Sequence, residues 1–163
     1  MIKKTNINDS NQVDEVIEVI RQSHQTVAAE FSLTKENAPG HTSFITGEKY
    51  LWNRENKAFF HYELDNRIVG CIVIEKGKED QEFRLENVSV IPDLRHKGYG
   101  RELVNYAIED IKAKGGQKIL IGLIDENRVL KEWYADLGFR EISTKKFDHL
   151  PFTVCFMKYL LEG

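Results

Sequence analysis

Positive charge and glycine come together in one short turn of this chain. Residues 95–100 read RHKGYG; the β-branched run NVSVI precedes them, and the amphipathic stretch RELVNYAIEDI follows them. The first turn of a helix has free backbone N–H groups and carries the positive end of the helix dipole. Glycines let a bulky anion approach the backbone, and flanking arginine or lysine adds charge. The pattern therefore predicts a binding site for a phosphate or pyrophosphate group.

Two well-known phosphate-binding motifs do not fit this turn. The dinucleotide fingerprint G-x-G-x-x-G requires a third glycine, but Gly98 and Gly100 are followed by Leu103 at that position. The P-loop motif G-x-x-x-x-G-K-[ST] does not occur in the chain. What remains is R-x-x-G-x-G between a strand and a helix. A glycine turn with a solvated basic rim is the competing interpretation, because short motifs give false positives.

The periodicity of apolar residues predicts the elements that hold this turn. Val13, Val16, Ile17 and Ile20 follow helical spacing, and Asp9 or Ser10 is placed to cap that helix. In chain order we expect an edge strand in 1–7, helices in 8–31 and 46–56, strands in 57–64, 67–77 and 82–91, a helix in 100–116, a strand in 117–124, a helix in 125–139, and strands in 140–147 and 152–161. This order predicts one mixed α/β (α+β) domain over residues 1–163.

Composition narrows the class of protein. The 163 residues are 41% hydrophobic, and 23 Lys and Arg stand against 26 Asp and Glu, for a net charge of -3. Such a balance is typical of a globular domain and argues against a nucleic-acid partner, which a basic excess would favour. The positive charge of the turn is therefore local. Cys71 and Cys155 lie in apolar runs, which favours two reduced core thiols over a disulfide or a metal pair.

Targeting and metal-binding signals are missing from the sequence. The first ten residues contain no apolar leader, and no apolar run approaches the ~18 residues of a membrane helix. We therefore expect a cytoplasmic protein without membrane contact. His24, His61 and His149 are scattered, and neither H-E-x-x-H nor a paired C-x-x-C motif occurs. The sequence predicts no metal site.

Two segments together resemble one enzyme family. The segment VSVIPDLRHKGYGRELV resembles motif A of the GCN5-related N-acetyltransferases, the GNAT superfamily. The run QKILIGLI, followed by NRVLKEWYADLGF, resembles motif B of the same family, in which an Asn precedes a helix that carries a Tyr. The order of the N-terminal elements also matches, so the resemblance covers nearly the whole chain. It implies the GNAT fold, a mixed sheet of about six to seven strands flanked by about four helices.

The resemblance also implies a site for acetyl-CoA as co-substrate. The cofactor is expected in a V-shaped opening between the fourth and fifth strands, with pantetheine paired like an additional strand along Val88, Ser89 and Val90. A backbone N–H there would polarise the acetyl carbonyl. Asn127 is expected to hydrogen-bond either the cofactor or the helix backbone. The pyrophosphate would lie on the turn formed by Arg95, His96, Lys97, Gly98, Tyr99, Gly100 and Arg101.

Tyr134 and Glu86 are the catalytic residues that the resemblance suggests. A Tyr at the place of Tyr134 lies near the cofactor sulfur in this family and can protonate the departing thiolate; a packed core tyrosine is the competing interpretation. An alkylammonium is mostly protonated at pH 7, so the reaction needs a proton acceptor. The segment LENVSVIPDLR resembles the spermidine/spermine acetyltransferase branch, in which a Glu at the place of Glu86 is a proposed base.

The position of Glu86 leaves two interpretations open. Strand alternation predicts that Arg84, Glu86, Val88 and Val90 lie on one face. In that position Glu86 either accepts a proton from the amine or is an exposed carboxylate that balances Arg84. Asn37 and His41 lie in the loop on the acceptor side, where they either shape the acceptor pocket or cap a turn.

The expected function is direct transfer of acetyl from acetyl-CoA to a primary amine. No nucleophile elbow G-x-S-x-G occurs, which favours direct transfer over an acyl-enzyme. The chain has no extra domain to hold a macromolecule, which favours a small-molecule amine over a protein or peptide amine. Transfer of a longer acyl group and a non-catalytic acyl-CoA-binding sensor module are the alternatives. The apolar end of the last strand, FTVCFMKYLL, suggests the edge of a homodimer.

Overall fold

The computed structural model describes residues 1–161 and contains one mixed sheet. Its seven strands have the order β1-β2-β3-β4-β5-β7-β6, and four α-helices accompany them in this part of the chain. The strands are β1 (Ile2–Lys4), β2 (Lys57–Leu64), β3 (Arg67–Lys76), β4 (Glu82–Val90), β5 (Lys118–Ile124), β6 (Arg140–Lys146) and β7 (Thr153–Leu160), and the helices are α1 (Ser10–Glu30), α2 (Gly47–Leu51), α3 (Tyr99–Ala113) and α4 (Arg128–Asp136). The predicted mixed α/β fold is confirmed, with short 3-10 turns at Thr42–Phe44, Arg54–Asn56 and Pro92–Leu94.

Helix α1 forms for the reasons that its sequence indicates. Asp9 is its N-cap, and the side chain accepts hydrogen bonds from the N–H groups of Asn11 and Gln12. The residues at helical spacing, Val13, Val16, Ile17 and Ile20, are buried. They pack this helix against β3 and β4, and β4 is one of the two strands that diverge further along the sheet.

Strands β2 and β3 form the expected hairpin. Asp65 and Asn66 both have positive φ, 50° and 63°, as the type I′ turn of a two-residue hairpin requires. On the other side of the sheet centre, β4, α3 and β5 form a parallel crossover. The apolar face of α3, consisting of Leu103, Val104, Ala107, Ile108 and Ile111, is buried.

Strands β4 and β5 pair over only part of their length. Their parallel register runs from Glu82 opposite Lys118 to Arg84 opposite Leu120. Beyond that point β4 continues to Val90 and β5 to Ile124, but no further pairs form between them. The two strands therefore diverge, and the opening that the family resemblance implied is present.

A bulge interrupts β4 in the middle of this opening. Glu86 is opposite Val73 and Ser89 is opposite Cys71, so β4 contains one residue more than β3 over the same stretch, and Asn87 has φ 55°. Cross-strand partners share a face of the sheet, so Glu86 and Ser89 lie on the same face. The prediction that Glu86 shares a face with Val88 and Val90 is wrong, because the extra residue reverses the alternation.

The C-terminal strands differ from the prediction in one respect. Strand β7 lies between β5 and β6, so it is not the sheet edge from which we predicted a homodimer. On this side of the sheet the edge strand is β6, all of whose residues are exposed, and it ends in Lys145 and Lys146. Lysines on an edge strand discourage edge-to-edge pairing. The homodimer itself stays a prediction.

The cysteines and the helices bear on the expectations drawn from the sequence. Cys71 and Cys155 are free and buried, as their apolar surroundings predicted. None of the helices within residues 1–161 combines the length and the apolar character needed to cross a membrane.

Candidate active site

A single cavity of about 1070 Å³ fills the opening between β4 and β5. Its walls come from the second half of α1, the segment that joins β4 to α3, the first turn of α3, and α4. Of the residues predicted to be catalytic or to bind acetyl-CoA, all but the exposed Lys97 line this cavity. They are Glu86, Val88, Ser89, Val90, Arg95, His96, Gly98, Tyr99, Gly100, Arg101, Asn127 and Tyr134.

The N-terminus of α3 opens directly into the cavity. Gly98 is the N-cap, and no side chain caps the helix there. Both His96 (φ 64°) and Gly98 (φ 90°) have left-handed backbone conformations, which curl the chain tightly into the helix. The first N–H groups of the helix are therefore without a side-chain acceptor, and Arg101 adds a positive charge beside them. This arrangement suits an anion such as a phosphate group.

Gly100 lets α3 approach α4 closely. A Cβ atom at this position would lie 3.1 Å from Cζ2 of Trp133, a distance that forces the neighbouring ring to move. Trp133 in turn packs edge-to-face on Tyr134, with ring centroids 4.9 Å apart. The glycine therefore brings the anion-binding end of α3 next to the helix that carries Tyr134.

Arg95 ties the turn to α1. Its Nη2 donates a hydrogen bond to the backbone oxygen of Ser23, at 2.5 Å. The guanidinium has five N–H donors, so this bond leaves others for a ligand. Arg95 therefore positions the turn as well as contributing charge to the cavity.

The backbone of β4 presents polar groups to the cavity. The N–H of Ile91 donates to the oxygen of Val69 on β3, at 2.9 Å. Successive residues of a strand direct their backbone groups to opposite sides, so those of Val88 and Val90 point away from β3 and into the opening. The N–H of Val90 lies 3.4 Å from Oγ of Ser23, and the oxygen of Val88 is contacted by His24.

His24 is a site residue that the sequence analysis missed. Nε2 of its imidazole lies 3.2 Å from the oxygen of Val88 and 3.2 Å from Oγ of Ser89. Burial, followed by the nearby charges of His41 and Arg95, lowers the pKa of His24 to about 4 despite the bond to Val88. The ring is therefore neutral at neutral pH. No motif marks this residue, since its partners are more than 60 positions away in the sequence.

Glu86 lies on the α1 side of the cavity within a group of charges. Its Oε1 is 4.0 Å from Nε of Arg84, while Nη2 of Arg84 donates to Oε1 of Glu75 at 2.7 Å. Glu75 is buried and also lies 3.9 Å from the ammonium group of Lys57. Desolvation raises the pKa of Glu86, and the negative charge of Glu75 raises it further; Arg84, Lys57 and Lys49 oppose these effects more weakly.

Tyr134 faces the cavity from α4 and is otherwise enclosed. Only 6% of its surface is exposed, and its ring packs on Trp133 and Phe139. Burial raises the pKa of its phenol well above the usual value. The hydroxyl therefore keeps its proton at neutral pH and can act as a proton donor.

Three other predicted residues have local structural partners. Oδ1 of Asn127 accepts a hydrogen bond from the N–H of Leu130 at 3.2 Å, which caps α4. Asn37 accepts from the N–H of Thr34, and Nδ1 of His41 accepts from the N–H of Ser43. Neither Asn37 nor His41 lines the cavity, so the capping interpretation fits both of them.

One group of potential metal ligands lies outside the cavity. Ligand atoms of Asp125, Glu141 and Cys155 lie within 4.8 Å of one another. The ammonium group of Lys131 donates to Asp125 and lies 3.6 Å from Glu141, so a cationic group already balances these carboxylates. The absence of a metal from the reaction stays a prediction.

The geometry agrees with the comparisons to known proteins. The chain is 32% identical over 98 residues to an uncharacterized N-acetyltransferase from Methanocaldococcus jannaschii, a match that covers 57% of this chain and 43% of that relative. The chain thus spans less than half of that relative's length.

Two crystal structures show a similar fold. The ribosomal-protein-S18-alanine N-acetyltransferase from Escherichia coli superimposes with a TM-score of 0.76 at 15% identity, covering 100% of this chain and 96% of that one. An aminoglycoside 6'-N-acetyltransferase complexed with coenzyme A superimposes with a TM-score of 0.71 at 17% identity, covering 98% and 96%. At these identities the likeness concerns the fold.

The family model settles the classification. The model of the acetyltransferase (GNAT) family matches residues 24–139, which is well over half of the chain and includes the opening between β4 and β5, the uncapped start of α3 and all of α4. This chain belongs to the acetyltransferase (GNAT) family.

Proposed function

We propose that this protein transfers an acetyl group from acetyl-CoA directly to a primary amine. The observation that carries the proposal is that one cavity contains an uncapped helix N-terminus, the edge of β4 that faces away from β3, a buried tyrosine and a carboxylate with a raised pKa. These groups correspond to the four needs of the reaction: holding a diphosphate, polarising a carbonyl, donating a proton and accepting one.

The donor fits along the wall formed by β4 and α3. The first N–H groups of α3 and the side chain of Arg101 would hold the pyrophosphate of acetyl-CoA. From there the pantetheine arm would follow the backbone of 88–90 towards the narrow end of the opening. The N–H of Val88 faces the opening and is suited to donate a hydrogen bond to the carbonyl oxygen of the thioester.

The chain's own residues would move the protons. Glu86 takes a proton from the ammonium group of the acceptor, and the neutral amine then forms a C–N bond to the acetyl carbon. The C–S bond breaks, and Tyr134 donates its proton to the departing thiolate of CoA. The new amide nitrogen loses its second proton, and this proton, passed through water, restores the Tyr134 hydroxyl. The tetrahedral intermediate carries negative charge on the former carbonyl oxygen, next to the N–H of Val88.

We propose a small molecule as the acceptor. The cavity itself lies within a single sheet and its helices. The carboxylates of Glu30 and Glu86 on its wall would attract a cationic amine, whereas those of Glu79 and Glu82 pair with Lys118. The N-terminal amine of a protein is the second candidate, since the similar Escherichia coli structure is that of a ribosomal-protein-S18-alanine N-acetyltransferase. The aminoglycoside enzyme has nearly the same TM-score, so the fold does not favour either acceptor.

The test is the release of free CoA thiol from acetyl-CoA in the presence of a panel of amines. The panel would contain polyamines, aminoglycosides, amino-acid amides and short peptides with free N-termini. We expect turnover with at least one small amine and little with the peptides. Turnover with peptides alone would favour the protein acceptor. Tight binding of CoA without turnover on any amine would contradict catalysis and favour an acyl-CoA-binding module.

A further inference from the structure

The contacts of His24 with the bulge of β4 determine which of its ring nitrogens carries the proton. Nε2 lies 3.2 Å from both the oxygen of Val88 and Oγ of Ser89. A carbonyl oxygen only accepts hydrogen bonds, so the imidazole must carry its proton on Nε2. Ser89 uses its own hydroxyl proton to donate to the oxygen of Asn87 at 2.9 Å, which leaves its Oγ free to accept from His24.

These contacts support the two residues of β4 that lack a partner on β3. At the bulge Asn87 and Val88 have no partner in the register between β3 and β4. The oxygen of Asn87 instead accepts from Ser89 and lies 3.5 Å from the thiol sulfur of Cys71, and the oxygen of Val88 accepts from His24. Side chains therefore replace the missing ladder bonds at this bulge.

The contact also affects the charge that the strand presents to the cavity. The N–H and the C=O of Val88 lie on the same side of β4, towards the opening. A carbonyl left free there would place partial negative charge beside the acetyl oxygen, where negative charge develops during transfer. A hydrogen bond from His24 offsets that charge and fixes the rotation of the Val88 backbone.

We propose that His24 is a positioning residue for acetyl transfer: by binding the carbonyl of Val88, it holds the bulged strand so that the N–H of Val88 faces the acetyl carbonyl oxygen. This inference rests on the proposed function, because it assigns the N–H of Val88 to the thioester. The neutral state of the ring agrees with it, since the lowered pKa, about 4, leaves one proton for the two oxygen neighbours at neutral pH.

Three substitutions of His24 separate the hydrogen bond from the packing. His24→Phe keeps a ring but removes the donor. His24→Gln places an amide N–H near the position of Nε2, whereas His24→Asn carries the same amide on a shorter side chain that does not reach Val88. Thermal unfolding of each variant checks that it is folded, and the two amide variants provide a comparison even if His24→Phe does not fold.

The first measurement is the infrared stretching frequency of the carbonyl group in bound [1-13C]acetyl-CoA, which can be recorded without an acceptor amine. We expect a lower frequency than in solution for the wild type and His24→Gln, and a return towards the solution value for His24→Phe and His24→Asn. With an amine that is turned over, kcat of His24→Phe and His24→Asn should fall roughly tenfold, while KM for acetyl-CoA stays within about twofold. This loss of kcat is smaller than the ~100-fold loss that follows removal of an oxyanion donor.

The outcomes distinguish this inference from the proposed function. A wild-type-like carbonyl shift and kcat in folded His24→Phe would overturn the role of His24 while leaving acetyl transfer intact. Equal losses in His24→Gln and His24→Asn would also overturn it, because the reach of the donor would not matter. If the wild-type protein neither binds acetyl-CoA nor shifts its carbonyl stretch, the proposed function fails and the inference fails with it.

Discussion

The two ends of the cavity are built from different parts of the chain. At the proposed donor end, the groups available for binding belong to the backbone: the N–H groups at the start of α3, the left-handed turn at His96 and Gly98, and the cavity-facing edge of β4. At the proposed acceptor end they belong to side chains from separate strands, with Glu86 and Arg84 from β4 and Glu75 from β3. The first end occupies one continuous segment, but the second is assembled across the sheet.

This difference has a physical origin. A diphosphate is a fixed chemical group that backbone N–H groups can bind, and their geometry depends on a few glycines. A cationic amine requires charged side chains whose pKa values depend on their neighbours. Substitutions at the donor end should therefore alter the affinity for acetyl-CoA, whereas those at the acceptor end should alter kcat and its pH dependence.

The largest effect should follow loss of the carboxylate at the acceptor end. Glu86→Gln removes the proton acceptor, so kcat should fall about 10³-fold with little change in KM for acetyl-CoA. Glu79→Gln is the matched control, since Glu79 also lines the cavity but forms an ion pair with Lys118 at 2.8 Å. Steady-state kinetics measure both variants. Equal losses of kcat in the two variants would mean that the reaction depends on the overall negative charge of the cavity rather than on the carboxylate of Glu86.

Loss of the Tyr134 hydroxyl should come next. Tyr134→Phe keeps the packing on Trp133 and Phe139 but removes the proton donor, so kcat should fall about 10²-fold. The affinity for CoA, measured by calorimetry, should remain nearly unchanged. Full activity of Tyr134→Phe at every pH would show that the thiolate leaves without a proton from this residue.

A matched pair of glycines tests the donor end. Gly98 and Gly115 flank α3, have φ of 90° and 81°, and would each place a Cβ atom in open space. Alanine at either position should cost roughly 1–2 kcal/mol of unfolding free energy, because an L-residue is strained there.

Only Gly98 lies in the cavity, so only Gly98→Ala should also weaken acetyl-CoA binding, by about tenfold. Denaturant unfolding measures the first effect and calorimetry measures the second. If Gly115→Ala weakened binding as much as Gly98→Ala, the turn would have no special role.

The smallest expected effect is a shift in pH dependence at the acceptor end. The raised pKa of Glu86 should place the acid limb of the kcat profile above the ordinary range for a glutamate. Glu75→Gln removes the negative charge that raises this pKa and frees Arg84 to approach Glu86. Both changes lower the pKa, so the carboxylate stays ionised, and the enzyme stays active, at lower pH.

Profiles of the wild type and Glu75→Gln, recorded with the same acceptor, provide the measurement. Protonation of the acceptor amine then affects both profiles equally, so it cannot account for a difference between them. A limb that does not move, or that moves to higher pH, would show that Glu75 does not set the charge state of Glu86.

The donor end could be predicted from sequence because its determinants are local. Gly98 and Gly100 lie at the start of a helix that follows a strand, and periodicity identified both elements. The bulge at Asn87 could not be predicted, because one extra residue in a strand leaves no pattern that distinguishes it from alternation. That error placed Glu86 on the wrong face relative to Val88.

The missed role of His24 has a related cause. Its contacts depend on how α1 packs across β4, a tertiary relation that neither periodicity nor a motif records. Lys97 illustrates the opposite error, because its place in the basic segment suggested a ligand contact, whereas its side chain is exposed and does not line the cavity. Composition of a segment did not determine the direction of each side chain.

The contact between His24 and Val88 has a consequence for how such proteins diverge. Because His24 binds a backbone oxygen, it restricts nothing about the side chain at position 88. If His24 positions the strand as proposed, position 88 can vary among residues that suit a strand, whereas relatives that use the same contact should retain the imidazole on α1. In this part of the site, evolutionary constraint would thus fall on position 24 of the helix rather than on the side chain at position 88 of the strand.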